Sequence, residues 1–394
     1  MRRSASRTPA AAVLACRRVL IAATLVVGFA ASAAAHHSAA PHFDLEKTVV
    51  LDGVVTKFEF VNPHAYVYFD VRGTDRAMVP WRCELASRTS LIRLGWTLDL
   101  FTAGRKITVK GAPARREANV CMLTSFVRDD GVEIARNDDV TKLSSSRPTA
   151  IARAGEAGPR PARLADGHPN LKGPWVAQFG PGRGRPGGPG GPGGGRPGGP
   201  GGPGRGAPGR GGPGGRGGGP EPTAAGELAG QKYDQRFDDP AIKCNPGNIL
   251  FGWTHDQHVN EIVQKSGEII LQYGYMDFAR TIHMNAAHPK QIAPTTGGHS
   301  TASWDGDVLV VDTIGFAPGV LIPISGLMHS DQLHVVERFS VDPDAKTLAR
   351  EYRAEDPLYL KSPYTGRDVM ILSNEPATAY NCVELSGKNN LRPN

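Results

Sequence analysis

The sequence predicts an all-β protein, and three observations carry that prediction. Short runs of β-branched and aromatic residues, several alternating with polar ones, recur from Thr48 to Ala354. Turn residues punctuate them, as at Asp305-Gly306-Asp307. One long segment, residues 180–220, holds 24 Gly, 10 Pro, 6 Arg and one Ala and cannot bury enough apolar surface to fold. The expected architecture is a small Greek-key barrel, a disordered Gly/Pro/Arg linker, and a larger antiparallel β-barrel or curled sandwich. The expected boundaries are 1–35 for a signal peptide, 36–146 for the first domain, 147–179 for a connector and entry segment, 180–220 for the linker and 221–394 for the second domain.

The amino terminus carries Arg17-Arg18, an apolar run from Val19 to Phe29 and small residues ending at Ala33-Ala34-Ala35. That order is a secretory signal cleaved after Ala35. The apolar core is short for a spanning helix, so no stable membrane span is expected after cleavage. An uncleaved anchor is the lesser alternative, and the export route, general secretory or twin-arginine, stays open. Location is expected to be periplasmic or secreted. Cysteine usage agrees: beyond Cys16, Cys83 and Cys121 precede the linker, and Cys244 and Cys382 follow it. Pairing within each domain is the simplest of three connectivities, and an oxidising compartment would form both disulfides.

The formal charge is +7, but residues 1–35 contribute five Arg with no acid and residues 180–220 six Arg with no acid. Residues 221–394 carry 14 Lys+Arg against 22 Asp+Glu. A basic nucleic-acid-binding surface is therefore excluded from the folded parts, and no nucleic acid is expected as a partner. The linker reads either as a solvated tether or as an Arg-spaced strip that touches an anionic surface, the acidic second domain or the envelope. The tether permits contact between the domains without requiring it.

In the first domain the expected strands are Thr48–Phe60, Ala65–Val71, Met78–Leu85, Lys106–Lys110 and Cys121–Val127, with a short helix over Arg88–Leu94 and a turn over Leu100–Gly104. Five curved strands with one helix in a connection suit a closed barrel of the oligonucleotide/oligosaccharide-binding (OB) type. The fold does not imply that ligand class. Ala35-His36-His37-Ser38, Gly53 to Val55, Asn62-Pro63-His64, Gly95-Trp96 and Lys106 to Gly111 with Ala112-Pro113 resemble a bacterial exported family of unknown function over about residues 36–140. The resemblance implies export and a small β-barrel, and no activity.

The chemistry available here is a metal site. Cleavage after Ala35 makes His36 amino-terminal, so its α-amine and imidazole can chelate copper, and a second imidazole would complete three nitrogens. Copper(II) favours such nitrogen-rich tetragonal geometry. His64 is the expected third ligand, with His37 and His42 as alternatives. The bland alternative is a solvated His-His tail beside a capped turn.

The entry segment, with apolar anchors Leu171, Trp175 and Phe179, is expected to dock on the second domain. That domain's expected strands are Val259–Val263, Glu268–Tyr273, Ala279–Met284, Ser300–Trp304, Val308–Thr313, Leu333–Val341 and Thr347–Ala354. Arg280 to His283, Gly298-His299-Ser300, Trp304 to Phe316, His329 to Phe339 and Asp356-Pro357 resemble a second exported family of unknown function. It covers roughly residues 166–180 and 244–360 and implies one β-barrel per chain with no agreed substrate.

Period-2 geometry puts Glu337 on one face with Leu333, Val335 and Phe339, and Asp312 on one face with Val308 and Val310. A carboxylate among apolar neighbours must be paired, neutral or beside a cavity. Arg280 is the expected partner. The bland reading is a structural ion pair; the sharper one is a cavity lined by Glu337, Asp312, Arg280, His283 and His299 with acid/base competence. His255 and His258 read as a loop entering a strand. Zinc-protease, nucleophile-elbow, phosphate-loop and dinucleotide signatures are missing from the sequence. The leading expectation is an exported binding protein for a small ligand or a copper ion. The alternatives are an enzyme acting through Glu337 or Asp312 as base and His283 or His299 as acid on a small organic substrate, and a structural envelope module. Oligomeric state is undetermined.

Overall fold

β1 (Val49–Glu59), β2 (Tyr66–Arg72), β3 (Met78–Glu84), β4 (Lys106–Pro113) and β5 (Val120–Arg128) form the first barrel, in the computed structural model, in the order β3-β2-β1-β4-β5 with β5 returning to β3. A closed ring with an odd number of strands cannot alternate direction throughout. One pairing must be parallel, and it is β3–β5, where Cys83 lies opposite Cys121. The expected disulfide Cys83–Cys121 forms at this closure. Helix α1 (Arg88–Arg93) starts at Ser87, whose hydroxyl accepts from the Ser90 N–H and caps the first turn. A short β6 (Glu133–Ala135), not expected from the sequence, extends the sheet beyond β5. The core is hydrocarbon and aromatic: Phe101 and Phe126 ring centres lie 4.5 Å apart, and Trp96 lies 5.7 Å from Phe126. This is the expected OB-like closure.

The structure describes residues 39–142, 160–177, 220–385 and 387. The expected signal peptide, His36, His37, Phe179 and the expected linker up to residue 219 lie outside the described residues. Both barrels belong to one compact unit, His36–Asn394.

The second barrel follows as β7 (Gly173–Ala177), β8 (Val259–Gln264), β9 (Glu268–Gln272), β10 (Ala279–Met284), β11 (His299–Asp305) and β12 (Val308–Ile314). After a separate hairpin, β13 (Gly319–Ile322) and β14 (Leu327–His329), it is completed by β15 (His334–Val341), β16 (Thr347–Glu355) and β17 (Tyr364–Leu372). These nine barrel strands close without an edge, β17 pairing with β7. Parity again demands a parallel pair, which is β10–β11, joined by a crossover over residues 285–298. The barrel alternative therefore holds over the curled sandwich. The entry segment does more than dock: β7, from before the linker, is a member of the barrel wall, with Trp175 buried. β17 was not expected because Tyr364-Thr365-Gly366-Arg367-Asp368 hides its alternation behind polar residues and glycine.

Helices α2 (Ala224–Gly230) and α3 (Gln235–Asp238) precede the second barrel's continuous strands. The carboxyl-terminal segment leaves β17 and reaches the first barrel. Asn62, 1% exposed, donates from Nδ2 to the Tyr380 carbonyl at 2.8 Å, and its own carbonyl accepts from the Val383 N–H at 2.7 Å. Ser90 Oγ donates to Asp256 Oδ1 at 2.7 Å, and Arg93 pairs with Glu375 at 3.2 Å. The second expected disulfide, Cys244–Cys382, ties this segment back to the second domain. Closing a loop of 138 residues of separation contributes on the order of 5 kcal/mol by chain entropy.

Candidate functional site

Alternation along the second barrel's strands sorts the expected site residues into two groups on opposite sides of the wall. Inside, Glu337 is fully buried, as are Arg280 at 6% and Arg350 at 1% exposure. Arg280 donates to one Glu337 oxygen, and Arg350 Nη1 donates to the other at 3.2 Å. Arg350 also donates from Nε to Asp368 at 2.9 Å and to the Ile249 and Leu250 carbonyls at 3.1 Å each. The Arg280 guanidinium reaches the Ser300 and Thr313 hydroxyls at 3.3 and 3.4 Å. Burial works against the charge of each arginine, but the carboxylates outweigh it and both stay raised above the ordinary guanidinium value. Burial also pushes the neighbouring Tyr273 hydroxyl up to about 12. Every charge here is spent on another.

Outside, Asp312 sits with His283, His288, His299 and His334. The residue numbers explain the split: His283 is an odd step from Arg280 on β10, so its side chain leaves by the opposite face. Asp312 shares its face with Val308 and Val310 as expected, but that face is the outer one, and Leu309, Val311 and Thr313 point inward. The five residues expected around one cavity therefore do not converge. Glu337 and Arg280 meet in the interior, and Asp312, His283 and His299 meet on the wall.

The outer group is a ladder. Asp312 Oδ2 lies 2.8 Å from His334 Nε2, and Oδ1 lies 2.9 Å from His288 Nε2. His288 Nδ1 lies 2.8 Å from His299 Nδ1, and His299 stacks on His283 with ring centres 5.1 Å apart. Burial would raise the Asp312 carboxyl, yet hydrogen bonds to His334 and His288 outweigh it and hold the group below its ordinary value. Burial, reinforced by His288 and His283, lowers His299. His288 lies in an irregular connection and gave no periodic signal in the sequence. His334 was legible in principle, since it is one alternation from Val336, the residue opposite Asp312.

In the first barrel, His64 follows Asn62-Pro63 and its Nδ1 lies 3.8 Å from Glu84 Oε1. Tyr66 donates its hydroxyl to Glu84 Oε2 at 3.0 Å. His42 is close enough to Glu84, His64, Asp239 and Arg236 to sense their charge. Burial is the main cause of its lowered value. Its Nδ1 is buried without a hydrogen-bond partner. Nearby, a cleft of about 540 Å³ opens between Ala40, Pro41 and Arg115 of the first domain and Gln231, Tyr233 and Arg236 of the second. Tyr233, whose buried hydroxyl also lacks a partner, belongs to this lining. Among the described residues, no group of three or more His, Cys, Asp or Glu is arranged to hold a metal ion. No helix among them is long and apolar enough to cross a membrane.

Fold and geometry thus define a protein of two disulfide-bonded β-barrels in one unit, with an ion-paired interior and polar clusters outside. Residues 23–122 match a family described as "Family of unknown function (DUF6152)". The match covers β1 to β4, the Asn62-Pro63-His64 stretch and the first residues of β5, and stops short of the second barrel. No curated protein and no solved structure matches the chain.

Proposed function

We propose that this is an exported binding protein, and that its ligand is a copper ion held by the amino-terminal His36 together with His64 and His42 beside Glu84 of the first barrel. The observation that carries this reading is the buried His42 Nδ1 without a hydrogen-bond partner, in a ring that senses the charges of His64 and Glu84, with His64 Nδ1 itself 3.8 Å from Glu84 Oε1. His36, amino-terminal after cleavage behind Ala35 and six residues before His42, would supply an amine and a third imidazole, with His37 next to it. His42 thereby moves from alternative to principal ligand beside His64. Imidazole must be neutral to bind a metal, and burial keeps His42 so at neutral pH.

A small organic ligand in the adjoining cleft is the second reading, favoured by the buried, unpartnered Tyr233 hydroxyl. Acid/base catalysis at Glu337 gains no such support, because both of its oxygens are already paired and the side chain has no exposed face. Copper(II) titration of protein that begins at His36, read by electron paramagnetic resonance, tests the proposal. One nitrogen-rich site per chain is expected, weakened at least about tenfold in His64→Ala and lost when the amino terminus is acetylated. A titration with no stoichiometric site, or a site indifferent to both changes, would sink it.

A further inference from the structure

We propose that the imidazole ladder on the outer wall of the second barrel is an acid-operated latch. At neutral pH His288 fastens the crossover 285–298 to β11 and β12, and in mild acid the double protonation of His288 and His299 releases it. This device is independent of the copper reading and lies in the other barrel.

The crossover exists because the barrel needs its one parallel pair. It is anchored at its ends: the Asn285 N–H donates to the Ala302 carbonyl at 2.7 Å, and the Thr295 N–H donates to the Gly315 carbonyl at 3.2 Å. Between them, among the described residues, the hydrogen bonds of 286–294 are those of the His288 ring, to His299, Asp312 and Thr301. Ile292, packed against Gly315, adds an apolar contact. Most of the remaining side chains of this stretch are exposed.

The proton count makes the latch sensitive. An ionised Asp312 only accepts, so His288 donates from Nε2 and presents a bare Nδ1. His299 can then donate from its Nδ1 across the 2.8 Å gap. One proton fits between these nitrogens. A first proton taken from solvent at His299 Nε2 leaves that bond in place; a second, on His288 Nδ1 as the pH falls further, aims two N–H groups at each other and places two positive charges across the same gap.

The surroundings do not absorb that charge. Asp312 serves His288 and His334 at once. His283 of β10 stacks on His299, and Lys290 lies in the crossover itself. On the neighbouring strands, Glu268 of β9 stands opposite His283 but is held by Lys265, and Glu355 of β16 stands opposite His334 with Arg353 on it. Thr301 contributes a hydroxyl 3.3 Å from His288 Nε2 and no charge. The lowered value of His299 fits a ring that the fold keeps neutral at neutral pH.

Amide hydrogen exchange of the full-length protein, followed by mass spectrometry at about pH 7.5 and about pH 5 and corrected for intrinsic rates, reads the latch directly. In the wild type, exchange across 285–298 is expected to rise at least about tenfold on acidification, with the barrel strands as internal reference. His299→Gln and His288→Gln each remove one of the two charges and should flatten that step to less than about twofold. If the wild type shows no local step, or if both variants retain it, there is no latch. A stoichiometric zinc or copper ion bound between the two imidazoles at neutral pH would equally overturn the proposal.

Discussion

The two barrels solve the same closure problem with different interiors. The first is filled by Trp96, Phe101, Phe126, Leu123 and other hydrocarbon side chains, and needs no charge inside. The second is wider, since barrel diameter grows with strand number. Its wall contributes Ile282, Leu309, Val335 and Phe339, but also Arg280, Glu337 and Arg350, whose long chains reach one another inside. Residues Ile249, Leu250 and Trp253 pack into the same core, and two of their carbonyls accept from Arg350. A wide barrel can therefore be filled by paired charge, with the consequence that removing one partner alone destabilises it.

Glu337→Ala is the largest expected break in that comparison. It strands Arg280 without a carboxylate in a fully buried position, whereas Arg350 keeps Asp368. The expected loss is about 3–5 kcal/mol in a denaturant titration. Phe126→Ala in the first barrel should cost a similar amount, about 3–5 kcal/mol, through a cavity. The sharpening lies in the second substitution. Arg280→Met combined with Glu337→Leu should regain most of the loss, because it removes both members of the pair. If the double variant is as unstable as Glu337→Ala, the interior is not organised as a pair.

The seam between the barrels is the next place to press. His258 precedes β8, is buried at 6% exposure, packs edge-on against Tyr380, and has a partnerless Nε2. Burial, the largest cause, lowers it from 6.5 to about 4, with Arg93 acting the same way and Asp256 and Asp277 opposing. As pH falls through 6.5 the unfolded chain takes up a proton that the folded one refuses. Stability is therefore full above that pH, declines down to about 4, and levels off below. Some 2.5 units correspond to roughly 3 kcal/mol. His258→Phe keeps the ring contacts and removes the titration, so its stability profile over this window should be flatter by about that amount. An unchanged slope would show that His258 takes up its proton at the same pH in the folded and the unfolded chain.

Much of this was legible in the chain and some was not, for reasons that particular residues show. Strand positions followed from alternation, so Val308 to Thr313 and Leu333 to Val341 sit where hydrophobic periodicity puts them. Even the Arg280–Glu337 pair follows from shared faces. Which face is the inner one does not follow: Val308, Val310 and Asp312 look like a core face, and the barrel turns them out. Arg350, between Leu348 and Ala354 on one face, carried a usable signal. His288 did not, because a connection has no period, and its partners on β11 and β12 are set only when the barrel closes. Contact between the barrels was equally hidden: Asn62 reads as a turn residue until the carboxyl-terminal segment arrives beside it.

The smallest expected effect contrasts the two barrels at a glycine. A Cβ on Gly111 would lie 2.7 Å from Cys121 Sγ and 2.8 Å from the Met122 carbonyl oxygen, where β4 shifts register against β5. Neither neighbour can turn away, since one is disulfide-bonded to Cys83 and the other is backbone. A Cβ on Gly366 of β17 would instead meet the outer atoms of the Tyr352 ring, the far end of a side chain and neither a disulfide nor backbone. Gly111→Ala should then cost about 1–3 kcal/mol and Gly366→Ala less than about 1 kcal/mol. Thiol alkylation before and after reduction gives a second readout, because crowding at Cys121 should leave a fraction of Cys83 and Cys121 unpaired in the first variant alone. Equal costs in the two variants, with both disulfides intact, would mean that the small barrel gives way at its closure as easily as the large one does at its wall.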